Sequence, residues 1–271
     1  MNDSVELIKI LDEAVVGLDQ CVQMLSSSFP PPRLVMVHGF EVFRHSPPQQ
    51  HDLLLSYMKL IKVASHNNAA MVLVRAGYVQ EVYALCRMID EAYEDIHFLL
   101  APAGEDGKPS EHQMKLVKEF FQEEFSGDDL VESHNSRDRV PRKKVRAANA
   151  RLGAGEDPSR EVKVIGVLAG TFSGFVHGAY VHLMELFDGL RFNTRGLLGT
   201  PLIYECLANQ VHYVFRSLLA VEGVGYRAYR EDVVYRALDL NIALGRQTKC
   251  IKAEGIDSMV KARVRPLVKP T

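Results

Sequence analysis

Apolar residues recurring at helical spacing, cut into blocks by proline and glycine, constrain this chain more than any other feature. Between Asp3 and Ser26, the residues Leu7, Ile8, Leu11, Val15, Leu18, Val22 and Leu25 fall on one helical stripe, with Asp3 placed to cap it. Pro30, Pro31 and Pro32 stop that helix. The run Leu34 to Phe43 fits either a short helix or an extended segment. Ser46 and Pro47 open the next block, which runs through Leu53, Leu54, Tyr57, Leu60, Ile61 and Ala64 to Gly77. Val82, Leu85, Ile89, Tyr93, Ile96 and Leu100 follow at once and end before Pro102, which predicts an antiparallel helical hairpin. Ser110 and Gln113 form a capping box for a helix ending near Gly127.

From Asp128 to Asp157 the apolar periodicity fades, and the stretch 128–157 reads as an exposed charged insertion or loop, with a short helix at most around Lys143 to Leu152. Asp157 and Pro158 then open a long helix expected to end at Gly189. Thr200 and Pro201 open another to Ala220, and a third spans about Arg227 to Leu244. A basic tail, 255–271, closes the sequence. The expected fold class is therefore all-α: a multi-helix bundle of long antiparallel helices with an irregular polar insertion, in a single helical domain over 1–271.

Charge excludes a global electrostatic partner, since 32 Lys and Arg stand against 34 Asp and Glu. Cys21, Cys86, Cys206 and Cys250 are scattered and read as buried thiols. The opening Met-Asn-Asp-Ser-Val-Glu lacks a secretion signal, so a cytoplasmic location is expected. Val164 to Met184 carries no Asp, Glu, Lys or Arg over 21 residues, yet its histidines and hydroxyls argue for a buried core helix and against a membrane span, so no membrane partner is expected.

Inside that helix Gly166, Gly170, Gly174 and Gly178 recur every four residues. Each interior glycine costs about 1 kcal/mol relative to alanine, so the ladder implies close backbone approach of a partner helix, from the same chain or from a second subunit. A neighbouring row, Ala169, Ser173 and His177, places an imidazole and a hydroxyl beside that contact. His177 is expected to be partly buried, either as a general acid/base or ligand contact, or as a core histidine bonded to a facing helix. Arg87 and Glu91 pair at i and i+4 beside Asp90 and Glu94, a row read as a solvated ion-paired face. Glu94 and His97 have di-iron spacing without the second pair such a site needs, so no metal and no cofactor are expected. Glu205 and His212 share a face of the following helix, from which they would meet His177. Arg137 to Arg151 holds seven basic residues and one acidic, Asp138; the acidic cluster Glu119, Glu123, Glu124, Asp128, Asp129 and Glu132 precedes it and is placed to neutralise it.

Arg87-Met-Ile-Asp-Glu91 on one helix and Phe172-Ser173-Gly174-Phe175-Val176-His177-Gly178 on a later one resemble an uncharacterised bacterial all-helical family related to the HEPN (higher eukaryotes and prokaryotes nucleotide-binding) domains. The resemblance covers roughly Asp52 to Phe187. It implies a helical bundle, a homodimer, and contact with RNA or a nucleotide in a toxin or defence role, with His177 as acid/base, Ser173 orienting it, and Arg87 held by Glu91 as phosphate partner. The Arg-x4-6-His spacing of ribonuclease HEPN domains is absent at His177, whose nearest upstream arginine is Arg160. Arg33 with His38, and Arg44 with His51, have that spacing but sit among prolines. Completing the motif falls to an arginine of another helix, Arg87 or Arg216. The alternative is a non-catalytic interaction or oligomerisation protein whose glycines serve assembly alone.

Overall fold

A computed structural model describes residues 2–101, 108–127, 129, 131–152 and 158–250. The basic tail, most of the 101–108 loop and Asp157 lie outside the described residues. Among those described, the chain is a mainly all-α multi-helix bundle of α1 (Asn2–Ser26), α2 (Asp52–Ala76), α3 (Val79–Leu100), α4 (Glu111–Phe121), α5 (Arg142–Leu152), α6 (Pro158–His177), α7 (Tyr180–Met184), α8 (Pro201–Arg227) and α9 (Glu231–Thr248). None of these helices is long and apolar enough to cross a membrane.

The undecided run is extended: β1 (Arg33–Val37) pairs antiparallel with β2 (Phe40–Arg44), with Leu34 opposite Phe43 and Val37 opposite Phe40. His38 and Gly39, both at positive φ, make the two-residue turn that suits a twisted hairpin. Ser46 and Pro47 open only a short turn, Pro47–Gln49; α2 itself begins after His51, whose Nδ1 accepts from Leu54 N–H at 3.2 Å. It ends as expected at Gly77 in the left-handed conformation. That turn is also a crossing point: Leu197 N–H donates to Gly77 O at 2.8 Å, and a Cβ on Gly196 would lie 2.5 Å from Ala76 O, so both glycines let the segment before α8 lie against the α2–α3 turn.

The main core gathers the apolar stripes of α1, α2, α3, α8 and α9, with Leu11, Leu18, Leu25, Leu54, Leu60, Ile96, Leu207 and Leu218 all fully buried. Each such side chain contributes about 1.5–3 kcal/mol by leaving water. A smaller cluster, Leu55, Phe98, Leu99, Leu116, Val140 and Val145, lies under α4 and α5. The reading of 128–157 as an exposed insertion therefore fails in its second half, where α5 packs on α3 and α6 with Val145 and Ala150 fully buried. Cys21, Cys86 and Cys206 are buried and Cys250 half-buried, and burial pushes the thiols of Cys21 and Cys206 up to about 11 and about 12. Such thiols stay protonated and inert.

The long glycine-bearing helix also differs from expectation. It stops at His177, because Gly178 takes φ +64 and Ala179 N–H closes back onto Gly174 O at 2.8 Å, a left-handed C-cap. The chain then doubles back as α7, and Gly189 lies in a loop well beyond the helix.

Candidate functional site

The polar row of α3 is an interior spine, which corrects its reading as a solvated face. Asp90, Glu94 and Asp95 are 7%, 5% and 4% exposed. Asp90 accepts from the Tyr213 hydroxyl at 2.8 Å and from Arg216 Nη1 at 2.6 Å, both on α8. The Arg216 guanidinium lies over the Tyr93 ring at 4.3 Å, and His97, one helical turn on, packs against the same ring at 4.2 Å. Burial pulls Arg216 toward neutrality, but Asp90, together with the neighbouring Tyr93 and Tyr213, outweighs that effect and holds it above an ordinary arginine. Burial, helped by the Asp90 charge, drives the Tyr213 phenol far upward, and burial with Arg216 nearby lowers His97.

One turn on, α5 supplies the counter-charges. Arg146 Nε donates to Glu94 at 3.0 Å, Arg142 bridges Glu94 and Asp95, Lys59 of α2 reaches Asp95 at 2.9 Å, and Asn149 donates to Glu94 O at 2.8 Å. Glu94 thus serves arginines. Sequence reasoning missed Asp90, Tyr213, Arg142 and Arg146 as one assembly. The available signal was complementary imbalance: Asp90, Glu91, Glu94 and Asp95 crowd one helix, and the basic excess of 137–151 lies in another. Elsewhere in that basic stretch Arg139 and Arg137 are answered by Glu119 and Glu124 of the preceding acidic cluster, while Lys115 takes Asp138.

Arg87 and Glu91 form their ion pair at 2.6 Å, and Arg87 Nη1 is buried without a partner. Above them α6 crosses α3 through Phe172 and Phe175, which pack on the Tyr83 ring at 5.9 and 4.6 Å. The row Ala169, Ser173, His177 leaves the interior as it climbs: Ala169 is buried, Ser173 half-buried and His177 exposed. An i+4 row drifts about 40° per step, enough to carry its third member out of the contact. His177 makes no hydrogen bond or ion pair among the described residues. Glu205 and His212 are exposed on α8, with Glu205 close enough to Tyr83 to help raise its phenol above the ordinary value, after burial and the two nearby cysteines. The clefts of about 840 and 560 Å³ lie around the hairpin and α4, and neither wall includes His177, Ser173, Arg87 or His212.

The glycines divide by role. A Cβ on Gly174 would sit 2.8 Å from the His182 ring of α7, and Gly178 caps the helix, whereas Gly166 and Gly170 face nothing within 4 Å among the described residues. Of the exposed apolar residues of α6, Val167 (69% exposed) lies nearest the glycine row, with Val164 (51%) and Leu168 (49%) farther round the helix; Tyr180, Val181 and Leu183 are exposed on α7.

The chain matches no family model, no curated protein and no solved structure.

Proposed function

We propose that this protein acts as a self-assembling interaction module, joining a second copy of itself through the apolar face of α6 and α7. The observation that carries this reading is the open space that Gly166 and Gly170 face among the described residues, on a helix that also exposes Val164, Val167 and Leu168. Two interior glycines forfeit about 2 kcal/mol of helix propensity, and no contact within the described residues offsets it. A helix crossing at those positions brings backbones close, and a two-fold axis lets one patch serve both partners. Several large apolar side chains exposed on one element make a candidate contact surface. Sedimentation velocity on the full chain tests it: a species near twice 30.4 kDa is expected, and Val167→Glu returns it to 30.4 kDa. A wild type that sediments as a monomer throughout defeats the proposal.

A second reading, a HEPN-like protein that contacts RNA or a nucleotide, draws support from the exposure of His177 at the rim of the same face and from the unpaired Nη1 of Arg87 on the helix that α6 crosses. His177 then acts as acid/base on a phosphodiester, with Ser173 beside it. Equal RNA cleavage by wild type and His177→Ala, or none by either, removes that reading.

A further inference from the structure

The β-hairpin leaves one of its edges open. Residues that flank a two-residue turn exchange both backbone bonds, and along an antiparallel ladder such pairs alternate with pairs that exchange none. Val37 and Phe40 close the turn, so Val35 bonds Val42 and Arg33 bonds Arg44 across the hairpin. The N–H and C=O groups of Leu34 and Met36 therefore point outward from β1, and those of Glu41 and Phe43 outward from β2. Charge obstructs the β2 edge: Arg44 folds back with Nη1 donating to Phe43 O at 2.9 Å, and Glu123 fixes its guanidinium there. Nothing comparable guards β1. Leu34 and Met36 make no hydrogen bond outside the hairpin among the described residues, they are 51% and 64% exposed, and no charge interrupts the run from Leu34 to Val37. Phe43, opposite Leu34 and 66% exposed, extends their apolar face. A bare, uncharged edge of this kind is a template for another strand.

We infer that a second copy of the chain supplies that strand, with β1 pairing antiparallel to the other β1 about a two-fold axis at Val35. What selects a second copy is that β1 is complementary to itself. In this register Leu34 lies opposite the second copy's Met36, so every outward backbone group of both residues finds its partner and apolar side chains meet across the seam. Each Arg33 falls opposite the other copy's Val37, which keeps the like charges at opposite ends. Neighbouring registers fail. A slip one way sets Met36 against Pro32, which has no N–H, and a slip the other way sets Leu34 against His38, whose φ of 49° places it in the turn. Arg44 on both outer edges then stops the sheet at two hairpins. The contact shares no residue with the face of α6 and α7 and does not depend on it. Being one short strand wide, it belongs to the smallest interfaces and forms at concentrations far above those at which the helices associate.

Cysteine cross-linking of the concentrated full chain reads the register. The axis brings the Cα atoms of the paired Val35 residues to about 4.5 Å, within disulfide reach, and leaves those of Leu34 roughly 9 Å apart, beyond it. Under copper phenanthroline oxidation, Val35→Cys should form a linked species of twice the chain mass at least about tenfold faster than Leu34→Cys or wild type. Adding Val167→Glu should leave that rate unchanged, and adding Met36→Lys should abolish the difference. Amide exchange on the wild type gives a second reading without any substitution: the N–H groups of Leu34 and Met36 should slow as concentration rises, and those of Glu41 and Phe43 should not. Equal linking through both cysteines, or faster linking through Leu34, overturns the inference. So does linking lost with Val167→Glu, which would make the hairpins bystanders of the α6 contact. Leu34 and Met36 amides that exchange at the same rate at every concentration overturn it too, and if that rate is slow, another segment of the chain covers the edge. The mass of the wild type in dilute sedimentation tests the α6 reading alone, so either idea can fail without the other.

Discussion

Helices α3 and α6 cross each other, yet they solve opposite problems. α3 carries carboxylates that are 4–7% exposed into the interior, and α6 holds Val167 69% exposed in water. In α3 each buried charge finds a counter-charge within the chain, so the violation of polar-out patterning is closed on itself. Buried pairs of this kind are roughly neutral against well-packed apolar residues, and what they add is register, since Glu94 and Asp95 accept only a helix presenting Arg142 and Arg146 at the right turn. In α6 the exposed apolar groups and open glycines meet nothing among the described residues. An irregularity satisfied internally speaks of architecture; one left unsatisfied speaks of a partner.

The sharpest way to break this contrast is to remove one member of the spine. Glu94→Ala leaves Arg142 and Arg146 facing the interior without their main counter-charge, and urea unfolding should show a loss of about 3–5 kcal/mol. Val167→Ala in the same experiment, at low protein concentration, should stay within about 0.5 kcal/mol of wild type. A small loss at Glu94 would mean that the spine is wet and its pairing incidental.

Acid titration probes the interior at the next level of effect. Burial pushes Glu222 of α8, which accepts from Asn241 at 2.9 Å, up to about 7 from 4.5. Its folded form holds a proton that the unfolded chain releases, so its contribution is favourable below pH 4.5 and is lost as pH rises toward 7. Glu222→Gln keeps the acceptor and should gain about 1–3 kcal/mol at pH 8 over wild type, with no gain near pH 4. His66 has the opposite sign: burial, and then Lys62, lowers it to about 4 from 6.5, so stability is lost as pH falls from 6.5 toward 4. The two windows overlap and flatten the wild-type profile. Unfolding of Glu222→Gln across pH 4–8 should expose the His66 slope, and a profile as flat as wild type would deny both assignments.

How legible each region was follows from where its partners lie in the chain. α1, the α2–α3 hairpin and the Ser110–Gln113 capping box are written locally, in apolar spacing and cap residues, and they could be read directly. The spine was not, because Glu94 and Asp95 meet arginines 47 to 52 residues away, in a segment whose charge density looks like a solvated loop. The break at Gly178 was hidden for another reason: a fourth glycine at i+4 continues the ladder in sequence, and only the sign of its φ makes it a stop. Once the helix ends there, His177 falls in its last turn, and the expected partly buried imidazole becomes an exposed one.

The smallest expected effect discriminates most finely between the two regions. Gly170 has ordinary helical φ, is exposed, and a Cβ there would meet nothing within 4 Å. In a chain that works alone, Gly170→Ala should be a plain improvement of about 0.5–1 kcal/mol, from helix propensity and a less flexible unfolded state. If α6 packs against a second α6, the same methyl group stands where two backbones approach, and the gain in monomer stability must come with weaker association. Thermal unfolding at low concentration, paired with sedimentation at high concentration, reads both effects from one variant. A monomer stabilised with its self-association unchanged would leave the glycines of α6 without a role in assembly.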